Sequence, residues 1–227
     1  MESPFCSADA IKGDADFRLI ETFGYVPGQE IARLDLHFAR LAASAAHFDI
    51  PFDPSAISRS IAAVAGENPL RCRLTLDTDG RANLTTAPMP EAARRWRFAI
   101  SQTRLDADDP FLRHKTTRRT LYDQARAALP KGLDEIVFLN SRGEFCEGTI
   151  TNLILTTADN EQLTPPLTSG CLPGIYRQSL LDAGRVSEAV LGLEDLAKAR
   201  HIRLVNSLRG EMQAIWAPDG EEFASFA

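Results

Sequence analysis

Cysteine, histidine and lysine are scarce in this chain, and each scarcity narrows what it can be. The four cysteines, Cys6, Cys72, Cys146 and Cys171, are widely separated and form no CxxC pair. That argues against a zinc site or a disulfide framework and for the reduced thiols of a cytoplasmic protein. The four histidines show no metal-ligand spacing, so no metal is expected. No apolar run reaches the ~18 residues of a membrane helix, and no membrane association is expected. The first six residues, MESPFC, have neither the basic start nor the apolar stretch of a secretory leader. Basic charge is also in deficit. A net charge of −6 and a pI of about 5.3 have the wrong sign for a general nucleic-acid binder. The basic groups must therefore have local work. Among them only Lys12, Lys115, Lys131 and Lys198 are lysines.

What is present is enough for a proper core. Apolar residues make up 44% of the 227, which allows one large domain or two small ones. Residues 17–23 read as a strand, and Val26-Pro27-Gly28 turns the chain. Residues 34–48 read as an amphipathic helix with Asp35 as its cap. Leu34, Phe38, Leu41, Ala45 and Phe48 form its apolar stripe. His37, Arg40 and Ser44 fall on the other side. They suit an ordinary polar face, or they let Arg40 offer a fork of donors to an anion such as phosphate. Asp53-Pro54 opens a second helix running to about residue 65. Residues 71–78 and 82–86 form a hairpin around Asp79-Gly80. Residues 97–101 are a further strand. This predicts a small α+β domain over 1–101, a linker over 102–111 and a second domain over 112–227.

The second half carries more polar motifs. Lys115 lies in HKTTRR (114–119), where one unit hands over to the next, and such junctions favour small-molecule sites. A basic run alone is usually a solvated face or a phosphate contact. A helix follows, with Leu121, Tyr122, Ala125 and Leu129 on one face. Residues 135–139 form a strand, 140–143 a turn, and EFCEGTITN (144–152) leads into the apolar run 153–155. Glu147, placed before Gly148, reads on spacing alone as a solvated turn residue or as a functional carboxylate. GCLPGIYR (170–177) is a glycine-rich approach to a helix at 178–183. Such an approach leaves backbone N–H groups at the positive helix end, where an anion can sit. Strands at 186–189 and 202–205 flank a helix at 193–199. NSLRG (206–210) follows, and Pro218-Asp219-Gly220 is expected to turn a C-terminal hairpin.

Together, LHFARL (36–41), Lys115, EGTITN (147–152) and LPGIYR (172–177) resemble the class IV aminotransferases over about residues 17–210. That family includes branched-chain and D-amino acid transaminases and 4-amino-4-deoxychorismate lyase. HKTTR (114–118) and NSLRG are most similar to the lyases, particularly lyase domains joined to a synthase component. The resemblance implies the two-domain α+β fold of the class, with a larger C-terminal domain around a barrel-like core. It implies pyridoxal 5'-phosphate as cofactor, a small-molecule amine as substrate, and a homodimer. Lys115 matches the lysine that joins the cofactor covalently, and Glu147 the carboxylate beside the pyridine nitrogen. Arg40, the backbone at Gly174, Ile175 and Tyr176, and Ser207 match the phosphate ligands. Arg118, Arg119 and Arg209 are candidates for the substrate carboxylates. Two positions depart from the family. Tyr176 stands where Ser or Thr is common, and Arg119 and Thr120 stand where transaminases carry a tyrosine, with Tyr122 offset.

The implied reaction releases 4-aminobenzoate and pyruvate, with Lys115 acting in turn as base and acid. A protonated ring nitrogen held by Glu147 lets the cofactor accept electrons. A branched-chain or D-amino acid transaminase is the alternative enzyme. A non-catalytic protein that keeps the fold is a third reading, disfavoured because lysine, glutamate and phosphate elements all survive.

Overall fold

A computed structural model describes residue 11, residues 13–91 and residues 95–217. Cys6, Lys12 and the turn expected at 218–220 lie outside these. The chain divides into two compact units. The first holds the residues up to Glu91 together with His114–Arg118, and the second holds the rest.

In the first unit, strand β1 (Arg18–Tyr25) is followed by helices α1 (Leu34–His47) and α2 (Pro54–Ala62) and strands β2 (Leu70–Asp77) and β3 (Ala82–Pro88). The three strands form an antiparallel sheet in the order β1-β2-β3. Asp53 caps α2 by accepting from the Ser55 and Ala56 N–H groups at 2.9 and 3.0 Å, with Pro54 in the first turn. The core is Phe17, Leu19, Phe23, Leu41, Phe48, Ile57, Leu74 and Leu76. Two expectations for α1 need correction. Asp35 is not its cap: the helix starts after Arg33, which has a left-handed φ of 58°, and has no side-chain cap. The side holding His37 and Ser44 is not a solvated face, because both residues are buried.

His37 is covered by Glu21 and Phe23 of β1, and Ser44 by a segment from far along the chain. Residues 114–118 lie against β1, with Thr116 bridging Leu19. The Ile20 N–H donates to the Lys115 carbonyl at 2.8 Å, and the Thr117 N–H donates to the Arg18 carbonyl at 2.9 Å. His114 stacks on His47 with ring centroids 4.3 Å apart, and its Nδ1 lies 2.9 Å from Ser44 Oγ.

The second unit contains β4 (Arg95–Leu105), α3 (Thr120–Ala127), β5 (Glu135–Asn140), β6 (Phe145–Gly148), β7 (Asn152–Thr156) and β8 (Gln162–Thr164). It continues with α4 (Ile175–Asp182), β9 (Ser187–Glu188), α5 (Leu193–Lys198), β10 (His201–Asn206) and β11 (Gly210–Trp216). Strand β4 is longer than the stretch 97–101 expected for it, and α4 starts earlier than residue 178. In α3, Tyr122 and Ala125 pack inward, but Leu121 is 37% exposed and Leu129 lies past the helix end.

The strands form one mixed sheet in the order β6-β5-β4-β11-β10-β7-β8-β9. Strands β6 and β7 stand five places apart in this order, yet only residues 149–151 separate them in sequence. Five strand spacings of a flat sheet span about 24 Å. The four residue steps from Gly148 to Asn152 reach at most about 14 Å. The sheet must therefore curl, and it forms a half-barrel around Trp96, Phe98, Val137, Leu139, Phe145, Leu153, Leu204 and Met212. The expected α+β architecture, a small N-terminal unit and a larger C-terminal unit with a barrel-like core, is the one adopted.

Candidate active site

In the first unit, Lys115 and Arg40 are both anchored on β1. Lys115 is held through its backbone, by the carbonyl contact to Ile20. Arg40 is held through its side chain. Inward positions of β1 alternate Leu19, Glu21, Phe23, so a carboxylate is placed in the core at 1% exposure. A buried carboxylate needs partners. Arg40 supplies a bidentate one, Nε donating to Oε1 at 2.8 Å and Nη2 to Oε2 at 2.7 Å. His37 Nδ1 also lies 2.6 Å from Oε2. Burial by itself would raise the Glu21 pKa. The Arg40 charge, the hydrogen bonds from His37 and Arg40, and the His37 charge outweigh it and bring the pKa down to about 2. Glu21 thus occupies two of the five N–H donors of Arg40 and fixes the plane of the guanidinium. Glu21 is a residue the sequence reading missed. Its signal was a glutamate at an inward strand position between Leu19 and Phe23.

In the second unit three motifs are stitched together. Glu147, on β6, is buried at 7% exposure rather than solvated. The Tyr122 hydroxyl donates to its Oε1 at 2.8 Å, and the Leu172 N–H donates to its Oε2 at 3.0 Å. Asn152, at the far end of EGTITN, donates from Nδ2 to the Leu172 carbonyl at 3.0 Å. The N–H and the C=O of Leu172 are therefore both held by one motif. The loop then runs into α4 with Gly174 as N-cap. A Cβ at Gly174 would lie 1.8 Å from Asn152 Oδ1, so only glycine lets the backbone pass. Ile175 and Tyr176 are the first helical residues, where N–H groups have no partner four residues back.

The turn Asn206–Gly210 joins the same region. Asn206 Nδ2 donates to the Ile150 carbonyl at 3.3 Å, and its Oδ1 accepts from the Leu208 and Arg209 N–H groups at 3.1 and 2.8 Å. Ser207 is half-buried in this turn. Gly210 lies against the Tyr176 ring. The Tyr176 hydroxyl donates to Glu211 Oε1 at 3.1 Å, so its side chain is directed to β11.

A second buried carboxylate, Glu135, shapes the turn after Glu147. It accepts from the Thr149 hydroxyl, from the Thr149 N–H at 3.1 Å and from Thr151 Oγ1 at 3.0 Å. Neither Glu135 nor Tyr122 was singled out from sequence as a partner of this motif.

The three candidate substrate arginines differ in surroundings. Arg118, in the first unit, pairs with Asp14 at 3.1 Å and lies over the Phe17 ring. Arg119 donates to Asp123 at 2.7 Å and to the Thr149 carbonyl at 3.0 Å. Arg209 stacks on Trp96, 5.4 Å from its ring centroid. Cys146 and Cys171 flank this region. Burial pushes both thiols up, Cys171 to about 12, with the Glu147 charge adding to the effect. Among the described residues no group of His, Cys, Asp and Glu is arranged to hold a metal ion. No helix among them is long and apolar enough to cross a membrane.

Residues 18–214 match the family described as amino-transferase class IV, and the chain belongs to that family. Membership makes it a relative of the fold-type IV enzymes that work with pyridoxal phosphate, and so implies that cofactor. A solved structure from Mesorhizobium loti, named as a candidate amino-acid aminotransferase, is 40% identical with a TM-score of 0.84. The match covers 89% of this chain and all of that one. The aminodeoxychorismate lyase of Saccharomyces cerevisiae is 29% identical over 133 residues, 51% of this chain and 35% of the yeast protein. The chain thus matches about a third of that protein's length. A protein of Thermotoga maritima, named a probable branched-chain-amino-acid aminotransferase, is 28% identical over 77% of this chain and 68% of its own. These names divide between lyase and transaminase, so they fix the family and leave the reaction open.

Proposed function

We propose that the chain is a pyridoxal-phosphate-dependent lyase that converts 4-amino-4-deoxychorismate into 4-aminobenzoate and pyruvate. The observation that carries this reading is the Tyr122 to Glu147 hydrogen bond. The tyrosine of the segment after Lys115 is engaged by the buried carboxylate, whereas the family's transaminases place a tyrosine near the phenolic oxygen of the cofactor. The lyase-like HKTTR and NSLRG stretches support the same choice.

The residues present suit the cofactor. Lys115 would carry it covalently, and Glu147, buried and ionisable, would face the ring nitrogen. Arg40, the α4 terminus at Gly174, Ile175 and Tyr176, and Ser207 would hold the phosphate. Gly174 is the N-cap of α4, and the first N–H groups of a helix, with no carbonyl one turn back, suit an anion. When bound, pyridoxal phosphate supplies an electron sink next to the substrate amine. In this reading the substrate amine would replace Lys115 on the cofactor, and the freed Lys115 amine would take the proton from the amine-bearing ring carbon. The C–O bond to the enolpyruvyl group then breaks and the ring becomes aromatic. Lys115 returns the proton to the methylene carbon of the departing enolpyruvate, which leaves as pyruvate. Glu147 would lie beside the ring nitrogen, and Glu21 would keep the Arg40 guanidinium in place. Arg118, Arg119 and Arg209 remain the candidates for the substrate carboxylates.

The test is formation of 4-aminobenzoate from aminodeoxychorismate with no oxo-acid added. A stoichiometric yield of 4-aminobenzoate and pyruvate supports the lyase. Turnover that depends on an oxo-acid acceptor, with no 4-aminobenzoate, supports the second reading, a branched-chain or D-amino acid transaminase. The likeness to the Mesorhizobium loti and Thermotoga maritima proteins favours that alternative.

A further inference from the structure

We infer that Tyr122 is a positioning residue that sets the basicity of Glu147, and through it how firmly the cofactor's ring nitrogen keeps its proton. The inference rests on the reading of Glu147 as the partner of that nitrogen. Tyr122 stands on α3, and its ring meets Phe138 edge-on at 5.3 Å, packed against Leu105, Phe138 and Cys146. The ring is therefore fixed, and its hydroxyl is delivered to Glu147 Oε1 at 2.8 Å. The other oxygen, Oε2, accepts from the Leu172 N–H at 3.0 Å. The carboxylate is thus oriented by two donors from different elements, one of them a removable side chain.

Arg119, Asp123, Cys146 and Cys171 are among the titratable groups near the pair. Arg119 lies 5.8 Å from the Tyr122 ring centroid and is itself paired with Asp123. Cys146 and Cys171 are neutral thiols at ordinary pH. Tyr122 itself stays protonated, since burial, the Glu147 charge and the hydrogen bond to Glu147 all raise its pKa. It is thus a donor at every working pH. A donor to an ionised carboxylate stabilises the charge and weakens the base. Removing the hydroxyl makes Glu147 a stronger base. A ring nitrogen facing it would then hold its proton more firmly, and a more fully protonated ring would lose a proton elsewhere more easily.

Tyr122→Phe keeps the ring packing and removes only the hydroxyl. The readout is the midpoint pH at which the visible absorbance of the bound cofactor changes, followed in the loaded enzyme without substrate. Thermal unfolding alongside confirms the fold. Glu147→Gln, which removes the charge, serves as the second variant. The inference expects Tyr122→Phe to lower the midpoint by roughly half a pH unit and Glu147→Gln to raise it. A midpoint unchanged in Tyr122→Phe but moved in Glu147→Gln overturns the role of Tyr122 and leaves that of Glu147 standing. A midpoint unmoved by Glu147→Gln removes the reading of Glu147 itself, and the inference falls with it.

Discussion

Glu21 makes Arg40 more than a surface arginine. A carboxylate at 1% exposure is tolerated only with partners, and it holds the guanidinium on two edges-on hydrogen bonds. The pKa of about 2 gives this a pH signature. The folded value lies below the ordinary 4.5, so the stabilisation is present above pH 4.5 and is lost as pH falls toward 2. Removing one partner of a buried pair costs about 3–5 kcal/mol. The Glu21→Gln variant should therefore be markedly less stable than wild type at pH 7. That gap should narrow by about 1.4 kcal/mol per pH unit below the ordinary carboxylate value. Denaturant unfolding at pH 7 and pH 3.5 checks this. A gap of the same size at both values would show that the Glu21 charge is not what holds Arg40.

The loop Leu172–Tyr176 is built by its neighbours more than by its own sequence. Leu172 is clasped by Glu147 and Asn152, and Gly174 passes where Asn152 leaves no room for a Cβ. Gly174→Ala should force the loop away from Asn152 and cost about 1–3 kcal/mol of stability, as overpacking does. It should also weaken cofactor binding, measured by equilibrium dialysis. A variant with wild-type stability and affinity would mean that the loop is not held by this contact. Much of the frame was legible in sequence. The hairpin at Asp79-Gly80, the cap at Asp53 and the strand at 135–139 follow from local rules. The motifs carrying Glu147 and Gly174 were legible as well. What was hidden depends on long-range packing. The side of α1 holding His37 and Ser44 looks polar because its partners are distant in sequence: His37 meets Glu21 and Phe23 of β1, and Ser44 meets His114, 70 residues on. The Tyr122 to Glu147 bond spans 25 residues and exists only because α3 packs on β5 and β6 through Phe138 and Cys146. Leu121 illustrates the converse. It fits the helical stripe but is exposed, because α3 is short and packs its apolar residues Tyr122 and Ala125 only part-way into the core.

The residues of the proposed chemistry lie partly in one unit and partly in the other. The first carries Lys115 and Arg40, both fastened to β1. The second carries Glu147 and the α4 terminus, fastened to each other through Leu172. The curl of the large sheet is what brings EGTITN to that loop, since β6 and β7 meet only in a half-barrel. The central claim is that this family frame holds pyridoxal phosphate on Lys115. The chain has only Lys12, Lys131 and Lys198 as other lysines, so the claim can be settled by locating one label. The cofactor-loaded protein is reduced with borohydride, digested, and the modified peptide is identified by mass. The account predicts a single pyridoxyl group on the peptide containing Lys115. A label on any of the other three lysines, or no label on a protein that retains the cofactor, would contradict it.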